Sequence, residues 1–109
     1  MEIKQTDITA RGIKFFVMEN GAEVARAHLY LMANGLHTKP FGLMEDVFVD
    51  ESLRGQGIGT ELVQKLIEAA KDAGCYKLIA TSRHSRPKVH ELYEKLGFKN
   101  HGVEFRIDF

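Results

Sequence analysis

Hydrophobic and polar residues alternate along the first half of the chain in the way that strands require. Residues 13–18 are apolar and aromatic, and Asn20-Gly21 follows, a strong hairpin signal because both residues tolerate positive φ. Residues 24–32 then alternate regularly, which predicts the returning strand of this hairpin. After a loop, residues 43–49 form a third predicted strand.

The second half of the chain has helical periodicity. Apolar residues recur every four positions after residue 57, at Ile58, Leu62, Leu66 and Ala70. Gly74 is a typical stop for this helix, and residues 76–80 predict a short strand after it. Pro87 suits the first turn of a second helix, which Gly97 ends. The apolar stripe of the second helix consists of Val89, Leu92, Tyr93 and Leu96.

Two more short segments near the end, 98–100 and 103–109, are predicted as closing strands around a turn at His101-Gly102. The order is therefore strands, helix, strand, helix, strands. That order predicts an α+β fold with helices packed on a mixed sheet.

The composition fits one small domain over residues 1–109. The chain has 44% hydrophobic and 28% charged residues, and its 15 Lys and Arg balance 15 Asp and Glu. A balanced charge argues against nucleic-acid binding and against a polybasic membrane anchor. A single cysteine allows no internal disulfide, and no segment resembles a membrane span or a signal peptide, so we expect a cytoplasmic protein. We expect no metal site, because neither His-Glu-x-x-His nor Cys-x-x-Cys spacing occurs.

A glycine-rich turn between the third strand and the first helix carries the main chemical signal. Gly55, Gly57 and Gly59 alternate there and would let a ligand approach the backbone closely. The amides and dipole at the start of the helix favour a phosphate, and Arg54 adds a positive charge. The turn lacks the lysine of a P-loop, and Thr60 stands where the dinucleotide fingerprint requires its third glycine.

The segment Arg54-Gly55-Gln56-Gly57-Ile58-Gly59 resembles the Arg/Gln-x-x-Gly-x-Gly/Ala signature of the GNAT superfamily of N-acetyltransferases. The segment 92–98 (Leu-Tyr-Glu-Lys-Leu-Gly-Phe) is similar to the C-terminal Leu-Tyr-x-x-x-Gly-Phe motif of that family, and 43–49 looks like the strand before its turn. The resemblance extends from Leu43 to about Asn100.

This resemblance implies that acetyl-CoA is the co-substrate and that no metal is used. Backbone amides of the turn would bind the pyrophosphate, and the edge of the preceding strand would bind the pantetheine arm. The residues concerned are Val47, Phe48, Val49, Arg54, Gly55, Gln56, Gly57, Ile58, Gly59 and Thr60. Arg86 stands where many relatives carry an asparagine beside the cofactor, and we leave its contact with CoA phosphates open.

The expected reaction is direct attack of a primary amine on the thioester in a ternary complex, which needs a base to deprotonate the amine. Glu45 is the first candidate base, since simple alternation places it on the face of Leu43, Val47 and Val49. Asp46 would point oppositely, and the Glu-Asp pair resembles that of polyamine-type acetyltransferases. Tyr93 is the candidate acid for the departing thiolate, although its place in the apolar stripe also fits a core tyrosine.

The N-terminus departs from the family pattern. Only one short strand fits before residue 13, so the two usual N-terminal helices that cover the acceptor are expected to be missing. The acceptor amine could then belong to a small molecule or to a protein or peptide. A homodimer formed by edge pairing of the C-terminal strands could also complete the site. The alternative hypothesis is a non-catalytic CoA-binding or protein-interaction module.

Overall fold

A computed structural model describes all residues from 1 to 109 and contains four strands and two α-helices. They are β1 (Arg11–Glu19), β2 (Ala22–Met32), β3 (Phe41–Val49), α1 (Ile58–Asp72), β4 (Leu78–Ala80) and α2 (Pro87–Lys95). A short 3-10 turn, Glu51–Leu53, lies between β3 and α1. Residues 1–10 contain neither helix nor strand.

The strands form one sheet in the order β1-β2-β3-β4. The predicted hairpin is confirmed: β1 and β2 pair antiparallel around Asn20 and Gly21, whose φ values are 51° and 80°. β3 pairs antiparallel with β2. Residues 76–77 join the beginning of β3 through bonds from the amide of Tyr76 to the Pro40 carbonyl (3.0 Å) and from Gly42 to the Lys77 carbonyl (2.9 Å). The partner of Tyr76 is Pro40 and the partner of Lys77 is Gly42, so the residue numbers rise together along the two segments, as in a parallel pair. The predicted mixed, mostly antiparallel sheet is therefore confirmed.

The core lies on the face of the sheet that contacts α1. Its nine buried apolar side chains come from β2, β3 and α1: Ala25, Ala27, Leu29, Leu31, Met44, Leu62, Val63, Leu66 and Ala70. All four β2 members have odd numbers, since successive side chains of a strand point to opposite faces. The opposite face is mixed, with Phe16, Leu43 and Phe48 among its residues. We use the term polar face for its polar group, Lys14, Arg26, His28, Tyr30 and Glu45, which the strand pairing places together.

The contact pattern divides the chain into two units, residues 1–79 and 80–109. The first unit contains all nine buried side chains. The second contains α2, which begins at Pro87 as predicted but buries none of its residues. Neither α-helix has the length and apolar character that crossing a bilayer demands.

The predicted closing strands over 98–100 and 103–109 are wrong for this structure, which shows no strand after Ala80. A strand requires a backbone partner, and residues 98–109 pair with none of the strands. The apolar side chains of 103–109 project into solvent as a result.

Candidate functional site

The turn between β3 and α1 is held by short-range hydrogen bonds. The Asp50 carboxylate accepts from the amide of Ser52 (3.0 Å) and from its hydroxyl (2.7 Å), and the hydroxyl bond is the main reason why the pKa of Asp50 is lowered. The Nε of Arg54 donates to the Val49 carbonyl at 3.0 Å. The guanidinium is thereby fixed at the start of the turn, with its other N–H groups available to a ligand.

Two glycines in this turn have left-handed backbone conformations and open surroundings. Gly55 has φ 83° and Gly57 φ 81°, and a Cβ built on either would meet no atom within 4 Å. The space above them is therefore free for a ligand. Gly59 has a different role, because its missing side chain lets α1 lie against β3, with the Val49 Cγ2 3.4 Å from a built Cβ.

The first turn of α1 presents backbone amides without partners. The first bond of the helix runs from the amide of Glu61 to the Gly57 carbonyl (3.0 Å), and the amides of 55–60 donate no hydrogen bond within the protein. Gly57 provides no side-chain cap. These amides and the positive end of the helix dipole form an anion-binding cradle of the kind that a pyrophosphate fits.

β3 contains a bulge directly before this turn. Arg26 pairs with Phe48 and His28 pairs with Glu45, so two β3 residues, 46 and 47, stand opposite the single β2 residue between them. Asp46 has φ 51°, which makes it the left-handed residue of this bulge. The extra residue reverses the alternation of side chains along the rest of β3.

This bulge corrects the predicted orientation of Glu45. Glu45 shares its face with Leu43, as expected, but Val49 pairs with the buried Ala25 and therefore faces α1. Glu45 and Phe48 lie on the same face although they are three residues apart. The prediction that Glu45 and Val49 share a face is wrong, because simple alternation does not continue through a bulge.

The outer edge of β3 presents a backbone donor next to the turn. The amide of Asp50 donates to the Val24 carbonyl on β2 (2.7 Å). Since successive backbone groups of a strand point to opposite edges, the amide and carbonyl of Val49 point away from β2. The Val49 carbonyl accepts the hydrogen bond from the Nε of Arg54. The neighbouring strand β4 has only three residues and is too short to follow β3 as far as Val47.

The side chain of Arg26 on β2 contacts two residues of the bulged part of β3, Asp46 and Phe48. Its Nε and Nη2 donate to the two carboxylate oxygens of Asp46 at 2.8 and 3.1 Å. Its guanidinium carbon also lies 4.7 Å from the centre of the Phe48 ring, within cation–π range. One side chain thus binds the residues before and after Val47.

The contact with Arg26 makes the acid–base properties of Asp46 different from those of its neighbour Glu45. The hydrogen bond from Arg26 is the main reason why the pKa of Asp46 is lowered, so Asp46 is a weak base. The Nδ1 of His28 lies 3.7 Å from the Asp46 carboxylate and makes no hydrogen bond. No hydrogen bond or ion pair engages Glu45, whose side chain is exposed. Of the two predicted carboxylates, the structure leaves Glu45 available for proton transfer.

The unit 80–109 contains the two remaining predicted site residues. Tyr93 is half-buried on α2, with its ring 5.4 Å from that of Phe98. Arg86 is the exposed N-cap of α2, and its carbonyl accepts from the amides of Val89 (3.2 Å) and His90 (3.3 Å). Arg86 thus has a defined backbone role in starting the helix.

Sequence reasoning missed Arg26 and His28. Both sit at even positions of β2 and face the Glu-Asp pair on β3, but Asp46 is 20 residues from Arg26 in the chain. Two ionisable residues alternating with alanines in the strand next to a Glu-Asp pair were the available signal. No cluster of three or more His, Cys, Asp or Glu side chains is placed to hold a metal ion.

Comparison with known proteins points to acetyltransferases. Residues 2–98 match the family model described as "Acetyltransferase (GNAT) family". A glucosamine 6-phosphate N-acetyltransferase of Trypanosoma brucei brucei is 45% identical over 67 residues, 62% of this chain and 44% of that protein. The crystal structure of a T. brucei acetyltransferase superposes with a TM-score of 0.77 at 34% identity, covering 92% of this chain and 69% of the other.

An aminoglycoside N(6')-acetyltransferase of Stenotrophomonas maltophilia is 32% identical over 78 residues, 72% of this chain and 50% of that protein. The chain spans less than half the length of the glucosamine 6-phosphate N-acetyltransferases that it matches. The family model nevertheless covers nearly all of it. The chain therefore belongs to the GNAT family of acetyltransferases.

Proposed function

We propose that this chain binds acetyl-CoA at the glycine-rich turn and transfers the acetyl group to a primary amine. One observation carries the proposal: the amides of 55–60 have no partner within the protein and open onto free space above Gly55 and Gly57. A pyrophosphate would satisfy these donors and would be stabilised by the helix dipole and by Arg54. Family membership supports acetyl-CoA over other phosphate ligands.

The pantetheine arm would lie along the outer edge of β3, from Val47 to Val49. The Val49 amide points to that edge, where β4 does not reach. A donor there would polarise the thioester carbonyl and stabilise the negative charge that develops on its oxygen. The bulge held by Arg26 fixes the direction of this edge.

In the proposed reaction the amine nitrogen attacks the carbonyl carbon of the thioester. A carbon–nitrogen bond forms, the carbon–sulfur bond breaks, and the products are an acetylamide and CoA. Glu45 accepts the proton that the amine must lose, directly or through water. Tyr93 remains the proposed acid that protonates the departing thiolate. Asp46 takes a supporting role, because Arg26 engages both of its oxygens.

We further propose that the acceptor is the amine of an amino sugar. The relatives at 45% and 32% identity are named for glucosamine 6-phosphate and for aminoglycosides, and both classes carry amines on sugar rings. Lys14 and Arg26 of the polar face lie beside Glu45 and are paired with Glu23 and Asp46. In the proposal, their remaining N–H groups would donate to the hydroxyl and phosphate groups of the acceptor.

Titration calorimetry with acetyl-CoA, followed by CoA release with a panel of amines, tests the proposal. The panel contains glucosamine 6-phosphate, an aminoglycoside, thialysine and a lysine peptide. Glu45→Gln should lower turnover by about 10²-fold or more and leave the affinity for acetyl-CoA unchanged. The matched control Glu68→Gln, the same change on the exposed side of α1, should retain full turnover.

Each failure has a separate meaning. No binding heat with acetyl-CoA would overturn the whole proposal. Binding of acetyl-CoA without acetylation of any amine would indicate a CoA-binding module and reject the transferase. Wild-type turnover in Glu45→Gln would reject Glu45 as the base, and Tyr93→Phe tests the acid in the same assay.

A further inference from the structure

Tyr30 is a partly exposed aromatic residue of the polar face that the proposed reaction does not use. Its exposed fraction is 39%, and its ring is parallel to that of His28 within 8°, with the two ring centres 6.3 Å apart. Tyrosine combines a flat apolar ring with a polar hydroxyl, and a strand holds such a ring more firmly than a loop does. Residues of this kind are typical of sites for ligands that have both apolar and polar parts.

The ring of Tyr30 lies across β1 at Gly12, the residue directly opposite it. A Cβ built on Gly12 would stand 3.2 Å from the Cε1 and 3.3 Å from the Cδ1 of this ring, and it would meet no other residue beyond its chain neighbours within 4 Å. Gly12 is not among the glycines with positive φ, so the backbone does not require a glycine here. A glycine inside a strand also lowers stability. The effect of the missing side chain is therefore that the Tyr30 ring can lie down over the sheet.

The strand register places this ring next to the proposed base. Residues 28–30 of β2 pair regularly with residues 45–43 of β3, in the part of the sheet before the bulge. Tyr30 and Glu45 are therefore diagonal neighbours on one face, about 7–8 Å apart. A pyranose ring that rests on Tyr30 can extend an amine substituent over that distance to the Glu45 carboxylate.

The groups around Tyr30 match the two kinds of surface that an amino sugar presents. One face of a pyranose carries mainly C–H groups, which pack on an aromatic ring by dispersion. Its hydroxyls and its amine need polar partners, and Lys14 and Glu45 flank His28 on the two neighbouring strands. A linear amine has no flat face of C–H groups and would gain little from Tyr30.

We propose that the sugar ring of the acceptor rests on the ring of Tyr30, and that this contact selects amino sugars over linear amines. The proposal rests on the proposed acetyl transfer and adds the subsite that determines its specificity. Gly12 is a positioning residue in this subsite, because it lets the Tyr30 ring lie flat. The packing uses the ring and not the hydroxyl of Tyr30.

Kinetic selectivity tests the subsite. At saturating acetyl-CoA, kcat/KM is measured for glucosamine 6-phosphate and for thialysine. Tyr30→Ala should lower the value for glucosamine 6-phosphate at least tenfold, mainly through KM, because the ring binds the substrate and the transition state alike. The value for thialysine should change less than threefold, and Tyr30→Phe should resemble the wild type with both amines. The matched control Tyr76→Ala, at a tyrosine of 41% exposure outside the polar face, should leave both values unchanged.

Gly12→Val tests the subsite without changing the aromatic residue itself. Valine suits a strand, and its side chain takes space that the Tyr30 ring occupies, so the ring must move. We expect the ratio of the two kcat/KM values to fall at least fivefold, while circular dichroism and turnover of thialysine show that the enzyme is folded. A wild-type ratio in Tyr30→Ala would overturn the subsite, and a wild-type ratio in Gly12→Val would overturn the role of Gly12.

A binding measurement separates failure of the subsite from failure of acetyl transfer. The chain contains no tryptophan, so Tyr30→Trp and its control Tyr76→Trp each carry a single indole. In the presence of CoA, glucosamine 6-phosphate should change the emission of Tyr30→Trp, thialysine should not, and Tyr76→Trp should respond to neither.

The outcomes of the binding and turnover measurements are distinct. No emission change with glucosamine 6-phosphate, or acetylation of linear amines alone, would overturn the subsite and leave acetyl transfer standing. An emission change without turnover of any amine would support the subsite and reject the proposed transfer.

Discussion

Gly57 and Gly74 flank helix α1. Substituting each of them separates the loss of stability caused by backbone strain from the loss of ligand binding. Both have φ 81°, and a Cβ on either would meet no protein atom within 4 Å. Replacing each by alanine is thus the same perturbation of the same helix, at opposite ends. Only Gly57 lies beside the unpartnered amides that we propose as the pyrophosphate site.

The loss of stability should be nearly equal in the two variants. An L-residue in the left-handed region costs about 1–2 kcal/mol. Alanine also lowers the conformational entropy of the unfolded chain relative to glycine, which stabilises the folded state by about 0.4–1 kcal/mol. We therefore expect a net loss of about 1 kcal/mol in the free energy of unfolding for each variant. In a domain of this size that lowers Tm by about 4–8 °C.

Ligand affinity should separate the two variants. A methyl group at Gly57 fills the space through which a phosphate reaches the amides, so we expect the Kd for acetyl-CoA to rise at least tenfold, about 1.4 kcal/mol. Gly74→Ala should bind acetyl-CoA like the wild type. Thermal denaturation gives the stability change, and titration calorimetry well below both melting temperatures gives the Kd.

Equal acetyl-CoA affinities in Gly57→Ala and Gly74→Ala would refute the assignment of the cradle. A Tm loss confined to one variant would instead show that the two left-handed positions are not strained alike. The two results are independent, so a failure identifies which step of the reasoning is at fault.

Three further predictions concern the unit 1–79. Leu66 is completely buried, so Leu66→Ala should lower the free energy of unfolding by about 2–5 kcal/mol in urea denaturation; a loss within experimental error would mean that α1 does not pack as described. A Cβ at Gly42 would lie 2.9 Å from the Leu78 Cδ1, so Gly42→Ala should destabilise by about 1–3 kcal/mol, and adding Leu78→Val should recover part of the loss in Tm. Because Arg26 lowers the pKa of Asp46, this carboxylate stabilises the fold fully above the ordinary aspartate pKa near 3.9 and loses that effect as the pH falls through the lower folded-state value. The stability difference between wild type and Asp46→Asn should therefore be larger near neutral pH than in acid, and a difference that does not change with pH would contradict the ion pair.

The elements with strong local signals were predictable from the sequence. The Asn20-Gly21 turn, the four-residue spacing in α1 and Pro87 at the start of α2 each depend on neighbours within a few positions. The glycine-rich turn was found in the same way, because the position of glycines between a strand and a helix is a local pattern.

The errors come from interactions between distant parts of the chain. The bulge at Asp46 is set by pairing with β2 and by Arg26, 20 residues earlier, so alternation within β3 could not reveal it. Residues 103–109 have the alternation of a strand, but a strand also needs a partner, and the sequence of the segment does not show whether one is present.

The division of residues 25–31 of β2 into buried odd positions and polar even positions has an evolutionary consequence. The odd positions carry the packing against α1 and tolerate little change in volume. His28 and Tyr30, at even positions, lie on the opposite face and are not among the buried core residues. Selection can therefore vary the charge and size of His28 and Tyr30 while the odd positions keep the fold, and new specificities can arise at these two positions at little risk to folding.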